Sequence, residues 1–152
     1  MQNFQMRTMT KDDVPFLVKS VLMSYRAGSR YIRGINKDSF LRSHNNLILS
    51  VLSHPNTEAR LIVDKKDESL ILGFIVLTGL EKIVICHYVY VRNGFRGTGI
   101  AGQLLEELAR KANGGSKILV LSHQTDIIKP ARFKKYGFDK VYFDPYIFEA
   151  LC

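Results

Sequence analysis

No stretch of this chain is long and apolar enough to cross a bilayer. The longest, Leu70 to Leu80, is about 11 residues and is broken by Gly73 and Gly79, against the roughly 20 that a spanning helix needs. No membrane association is expected. The first residues, MQNFQMRTMTKDD, lack a basic leader followed by an apolar block, so export is not signalled. Cysteine is scarce as well: Cys86 lies in an apolar run and Cys152 at the end of the chain. Such a pair makes neither a disulfide framework nor a metal-ligand spacing, which points to a reducing cytoplasm and to no metal. Acids are also in short supply, 14 against 22 Lys and Arg, leaving a net charge of +8. That field can attract polyanions or a phosphorylated ligand, or merely keep the chain soluble, and it does not choose among them.

What is present fits one packed domain, 1–152. The 46% apolar and 24% charged content is near the globular average, and the length suffices for one hydrophobic core. Asn3 to Met9 can form a strand, and Thr10-Lys-Asp-Asp then supplies a helix start with acids in its first turn. The spacing predicts a helix from about Lys11 to Arg26, with Val14, Leu17, Val18, Val21 and Leu22 on one face. A second helix is expected from Lys37, carrying Phe40, Leu41, Leu47, Leu49 and Leu52, and stopping at His54-Pro55-Asn56.

Beyond it the pattern turns to strands, at Ala59 to Val63, Leu70 to Thr78 and Lys82 to Val91, with spacers short enough for hairpins. Then come a helix from Ile100 to Ala112, a strand from Lys117 to Ser122, a short helix from Pro130 to Tyr136, and a last strand from Val141 to Phe148. The order is α+β. Because a strand, turn, helix and strand follow one another in the second half, some of the strand pairing there must be parallel.

The segment that carries chemistry is Tyr88-Val-Tyr-Val-Arg-Asn-Gly-Phe-Arg-Gly-Thr-Gly-Ile-Ala-Gly-Gln-Leu-Leu, a strand running through glycines into an amphipathic helix. The first amides of a helix have no partner within it and their dipoles add, while glycines let a phosphate approach the backbone. Arg96 adds a full charge. No Gly-x-x-x-x-Gly-Lys-Ser/Thr loop occurs. Read from Gly97, Gly-Thr-Gly-Ile-Ala-Gly does match a dinucleotide fingerprint, but that fold would place it near the start of alternating strands and helices. Here three strand-like segments precede it.

Arg96-Gly-Thr-Gly-Ile-Ala101 resembles the Arg/Gln-x-x-Gly-x-Gly/Ala signature of the GNAT superfamily of acyl-CoA N-acyltransferases. The preceding Tyr88-Val-Tyr-Val, the later Lys134-Lys-Tyr-Gly-Phe138 and the opening Met6-Arg-Thr-Met-Thr-Lys-Asp-Asp-Val are similar to other landmarks of that family. The resemblance implies a mixed central sheet of about six to seven strands flanked by about four helices. It also implies an N-acetyltransferase in which acetyl-CoA and an amine meet in a ternary complex and the amine attacks directly. The amides of Gly97, Thr98, Gly99, Ile100 and Ala101, with Arg96, would hold the coenzyme A pyrophosphate. The strand Val89-Tyr90-Val91 would hold the pantetheine arm, an amide of Val89 or Val91 polarising the thioester carbonyl.

Departures from the family pattern affect the proton chemistry. The tyrosine that serves much of the family as acid, four residues before the Gly-Phe pair, is Phe133 here, and the asparagine that often precedes this helix is replaced by Asp126. Tyr136 lies nearby as a candidate acid or a packing residue. No acid occupies Ile83 to Val91, where the family often carries a glutamate base. Strand alternation puts His87 on the face of Val89 and Val91, as a candidate base or a packed histidine.

Between Ser24 and His44 stand Arg26, Arg30, Arg33, Lys37 and Arg42 against one acid, Asp38. In the GNAT fold this stretch covers the acceptor side, so Arg30 and Arg33 are candidate ligands for an anionic acceptor such as a nucleotide- or nucleic-acid-linked amine. A small-molecule amine is equally compatible, as is a homodimer. The missing tyrosine and glutamate keep a second class open, an inactive acetyl-CoA sensor or interaction domain. A pure nucleic-acid-binding module has only charge in its favour, since no motif of that class is visible.

Overall fold

The computed structural model describes residues 3–151, so the Cys152 of the sequence reading lies outside the described residues. Six strands form one sheet in chain order: β1 (Phe4–Thr8), β2 (Thr57–Asp64), β3 (Ile71–Gly79), β4 (Ile83–Val91), β5 (Ile118–Leu121) and β6 (Lys140–Phe143). β1 to β4 pair antiparallel, whereas β4, β5 and β6 run parallel. The α-helices are α1 (Val14–Gly28), α2 (Arg30–Arg33), α3 (Lys37–Ser53) and α4 (Ile100–Asn113). No described helix is long and apolar enough to cross a membrane.

The sheet has a core on each face. On one side α1 and α3 bring Leu17, Val21, Tyr25, Phe40, Ile48 and Val51 down onto Leu61, Phe74, Val76 and Tyr88. On the other, Ile100, Leu104 and Leu108 of α4 pack on Ile62, Ile75, Leu77, Val84 and Cys86. At Gly73 there is no room for a side chain: a Cβ there would sit 2.7 Å from the Tyr90 carbonyl of β4 and 2.9 Å from Ile100 Cγ2 of α4.

Local chemistry starts the first helical stretch. Asp13 accepts from the Thr10 amide (2.7 Å) and hydroxyl (3.1 Å), and Arg7 grips the same carboxylate with bonds of 2.7 and 2.9 Å. Those partners, Arg7 first, hold the Asp13 carboxyl down at about 2. Residues 11–13 form a single 3-10 turn, and the α-helix proper begins at Val14.

Three expectations need correction. On α3, Phe40 is buried and Leu41, Leu47 and Leu52 pack partly buried against the core as expected, but Leu49 is exposed and Ile48 and Val51 are the other buried positions. The short helix α2 was not foreseen; it is four residues long and buries none of them. The last strand ends at Phe143, because Asp144 turns the chain by accepting from the Tyr146 amide (2.9 Å). Phe148 then returns to the core, with its ring 5.6 Å from that of His54 and 5.7 Å from that of His87.

Candidate active site

The sheet opens between β4 and β5. Parallel pairing holds from Ile83 opposite Ile118 to Cys86 opposite Leu121, ending with the Ser122 amide on the Cys86 carbonyl at 3.2 Å. Past that point β4 stays with β3 and β5 departs. The wedge between them is lined by Cys86, His87, Tyr88, Val89, Leu121, His123, Thr125 and Ile128.

A β-bulge decides what faces this wedge. β3 and β4 pair from Gly73 opposite Val91 to Val76 opposite Tyr88, and then jump to Leu77 opposite Cys86, so His87 is the extra residue. Beyond the bulge the Arg92 amide donates to Leu72 (2.7 Å). By alternation, the backbones of Arg92, Tyr90 and Tyr88 turn toward β3, and those of Val89 and Val91 turn into the wedge. Without the bulge the parity would be reversed. Side chains shift as well: Val89 and Val91 pack with the α4-side core, while Tyr88 belongs to the α1/α3 side and Tyr90 packs against it. The Tyr88 hydroxyl shares a 2.7 Å hydrogen bond with Ser24, and the Tyr90 ring stacks on Phe74 at 5.0 Å.

His87 is where strict alternation fails. A bulge puts two successive side chains on one face, so His87 goes with Tyr88 against Leu17, Val21, Ile48 and Val51, not with Val89 and Val91. It is 2% exposed. Its Nε2 is 2.8 Å from Thr78 Oγ1 and its Nδ1 is 2.7 Å from Ser122 Oγ. Burial, aided by nearby His54, pushes its pKa down to about 3.

Beyond β4 the chain forms the loop that the signature marks. Gly97 and Gly99 sit at φ of 80° and 88°, conformations that a side chain would strain, and a Cβ at either would meet nothing within 4 Å. Gly99 is the N-cap of α4. The first capped amide is that of Gln103, which donates to the Gly99 carbonyl at 3.1 Å. None of the amides of Gly97, Thr98, Gly99, Ile100 and Ala101 donates to a protein acceptor among the described residues. The Thr98 hydroxyl braces the loop by donating to the Phe95 carbonyl, and Arg96 is exposed at its mouth. Open glycines and five unspent donors at a helix start suit a pyrophosphate.

The remaining candidates fall outside the wedge. Phe133 is 1% exposed in the α4-side core, and Tyr136 packs beside it with ring centroids 6.2 Å apart. Tyr136 does not line the wedge, and burial raises its pKa. On the α1–α2 side, Arg33 donates to the Ala27 carbonyl and lies 3.8 Å from Asp126. Arg26 donates to the Ile35 carbonyl at 3.1 Å. These two brace the turn. Arg30 is exposed and makes no hydrogen bond or ion pair among the described residues.

The sequence reading missed a second set of groups near the wedge. His123 is 5% exposed, with Nδ1 2.8 Å from Ser122 Oγ and Nε2 2.7 Å from His44 Nε2. His44 comes from α3 and Ser122 and His123 follow the end of β5, and no local motif joins them.

The family model of the acetyltransferase (GNAT) domain matches residues 57–140, more than half of the chain, and the chain belongs to that family. It is thus an acyl-CoA-dependent N-acetyltransferase with acetyl-CoA as acyl donor. Among solved structures, a Pyrococcus furiosus protein assigned as an acetyl transferase superposes with a TM-score of 0.68 at 18% identity, covering 89% of this chain and 92% of its own. The PaiA N-acetyltransferase of Thermoplasma acidophilum, solved with coenzyme A, gives 0.54 at 17% identity, covering 75% and 76%. A ribosomal-protein-alanine N-acetyltransferase of Brucella melitensis gives 0.51 at 14% identity, covering 97% and 87%. At such identities these likenesses speak for the fold. No curated protein sequence matches the chain.

Proposed function

We propose that this chain, as one catalytic domain, transfers the acetyl group of acetyl-CoA to a primary amine by direct attack within a ternary complex. The observation that carries this reading is the row of unspent amides from Gly97 to Ala101 at the end of a strand that splays from its neighbour. In this reading those amides and Arg96 bind the pyrophosphate. Val89 and Val91 turn backbone groups into the wedge toward the pantetheine arm, and one of their amides stabilises the charge that develops on the thioester oxygen. The bound donor supplies an activated acyl carbon, and the protein supplies orientation and a dry wedge.

His87 is too enclosed to meet the amine itself, so its part in proton removal passes through its hydrogen-bonded neighbours. Tyr136, the candidate acid, gains no support from a position beside Phe133 and away from the wedge. For the acceptor, the exposed Arg30 supports an anionic amine, nucleotide- or nucleic-acid-linked, over a neutral one, whereas Arg33 is occupied in bracing the α1–α2 turn. The test is thiol release from acetyl-CoA across small amines, polyamines and nucleic-acid amines. Turnover on any of them supports the reading. Tight coenzyme A binding with no turnover on any would replace it with a sensor that keeps the fold.

A further inference from the structure

Six side chains form one unbroken hydrogen-bonded line through the α1/α3-side core. Thr57 Oγ1 meets Thr78 Oγ1 at 2.6 Å, Thr78 meets His87 Nε2 at 2.8 Å, and His87 Nδ1 meets Ser122 Oγ at 2.7 Å. Ser122 then meets His123 Nδ1 at 2.8 Å, and His123 Nε2 meets His44 Nε2 at 2.7 Å. The four middle members, Thr78, His87, Ser122 and His123, are buried, while Thr57 and His44 at the ends are half-exposed. His123 lines the β4–β5 wedge.

Among the described residues no carboxylate touches the line. The titratable groups packed against it are Tyr25 from α1, Tyr88 from β4 and His54 from the end of α3. With no anion beside them the rings stay neutral, and a neutral imidazole has one N–H and one bare nitrogen. Each hydroxyl likewise has one hydrogen to give, and Ser122 and Thr78 bond only to their neighbours in the line. When each of the five links carries one hydrogen and every inner hydrogen is spent inside the line, two arrangements remain. In one, all donations run from His44 toward Thr57; in the other, all run from Thr57 toward His44.

We propose that Thr57, Thr78, His87, Ser122, His123 and His44 form a proton relay that carries the proton released on amine acetylation from beside the wedge to the surface at Thr57. The inference rests on the acetyltransferase reading for its proton source. An ammonium acceptor and acetyl-CoA give the amide and free thiol, with the N–C bond formed and the C–S bond broken. Of the two N–H protons lost, one ends on the thiol sulfur and the other must leave. It enters at His44 Nδ1, which has no partner among the described residues, each hydrogen shifts one bond along, and Thr57 releases its own outward. The line is then reversed, with no ring left charged. The relay thus supplies a base without a carboxylate.

The relay predicts opposite tautomers at His87 and His123, one protonated on Nδ1 and the other on Nε2. Nitrogen-15 NMR of the histidine rings in the unliganded wild-type protein reads this directly. The same tautomer at both rings overturns the relay, whether or not any amine is acetylated. With an acetylated amine in hand, Thr78→Val and Ser122→Ala should each lower kcat by about 10-fold or more, the low side of proton-transfer contributions. The KM for acetyl-CoA should hold, and Thr78→Ser should keep most of the rate. A kcat unchanged in folded Thr78→Val, with the thermal midpoint reported alongside, overturns it too. Absence of turnover in the wild type would instead count against the acetyltransferase reading, leaving the tautomers to decide the relay.

Discussion

The phosphate loop and the buried histidine line lie at opposite ends of the scale of legibility. The loop, residues 96–101, is contiguous, largely exposed and held by two glycines at positive φ, and its proposed role rests on backbone amides that no other acceptor among the described residues uses. The line is assembled from α3, β2, β3, β4 and the end of β5, with partners up to 79 positions apart, and all its inner polar groups are spent. A site made of unspent backbone can be altered without unfolding the protein. A site made of satisfied buried side chains is altered only at a cost in stability, because each removal leaves an orphan in the core.

Perturbing each region should expose that difference. The largest effect belongs to Gly99→Val, which forces a branched side chain to a φ of 88° at the N-cap of α4. The KM for acetyl-CoA should rise about 100-fold, because the loop relieves a strain of about 3 kcal/mol by turning away from that φ and its amides lose their aim. Its thermal midpoint should move little, since nothing packs on the position. Ser122→Ala should show the reverse pattern. With Nδ1 of both His87 and His123 orphaned, stability should fall by about 2 kcal/mol in denaturant titration, while the affinity for coenzyme A stays.

Acid should act on the second region and spare the first. Burial holds His44 at about 4 and His87 at about 3, and holds His123 well below the ordinary value of 6.5. Because the folded values are depressed, the unfolded chain takes up the protons. Stability is therefore complete above pH 6.5 and is lost as pH falls from there toward 4, as the unfolded rings bind protons that the folded ones refuse. Melting curves at pH 7, 6 and 5 check this, and His44→Gln should flatten the slope while Gly99→Val leaves it unchanged. The smallest effect is expected from Arg30→Ala. It should weaken an anionic acceptor about two- to five-fold at low salt and not at high salt, as for an exposed charge, measured as acceptor KM at two ionic strengths.

Much of the fold could be read from local pattern. The strand and helix order of the second half, the parallel pairing and the anion loop each follow from periodicity and from glycines at a strand-to-helix turn. The faces around β4 could not. Period-two counting holds only while a strand is regular, and the bulge at His87 adds one residue that moves its ring to the other side of the sheet. Nothing in Ile83-Val-Ile-Cys-His-Tyr-Val marks that residue as the extra one. Ser122 and His123 were equally silent, since their meaning depends on β5 leaving β4 at Leu121 and on α3 bringing His44 within 2.7 Å. Leu49 and Phe148 show the same limit: in each, tertiary packing and not side-chain polarity chose the position.

Calorimetric titration of coenzyme A into the wild-type protein and into Gly99→Val puts the central claim to its most direct test. The account predicts saturable one-to-one binding by the wild type, weakened about 100-fold in the variant, with amide resonances of Gly97 to Ala101 shifting on addition. No heat of binding in the wild type, or equal affinity in the two proteins, would contradict it.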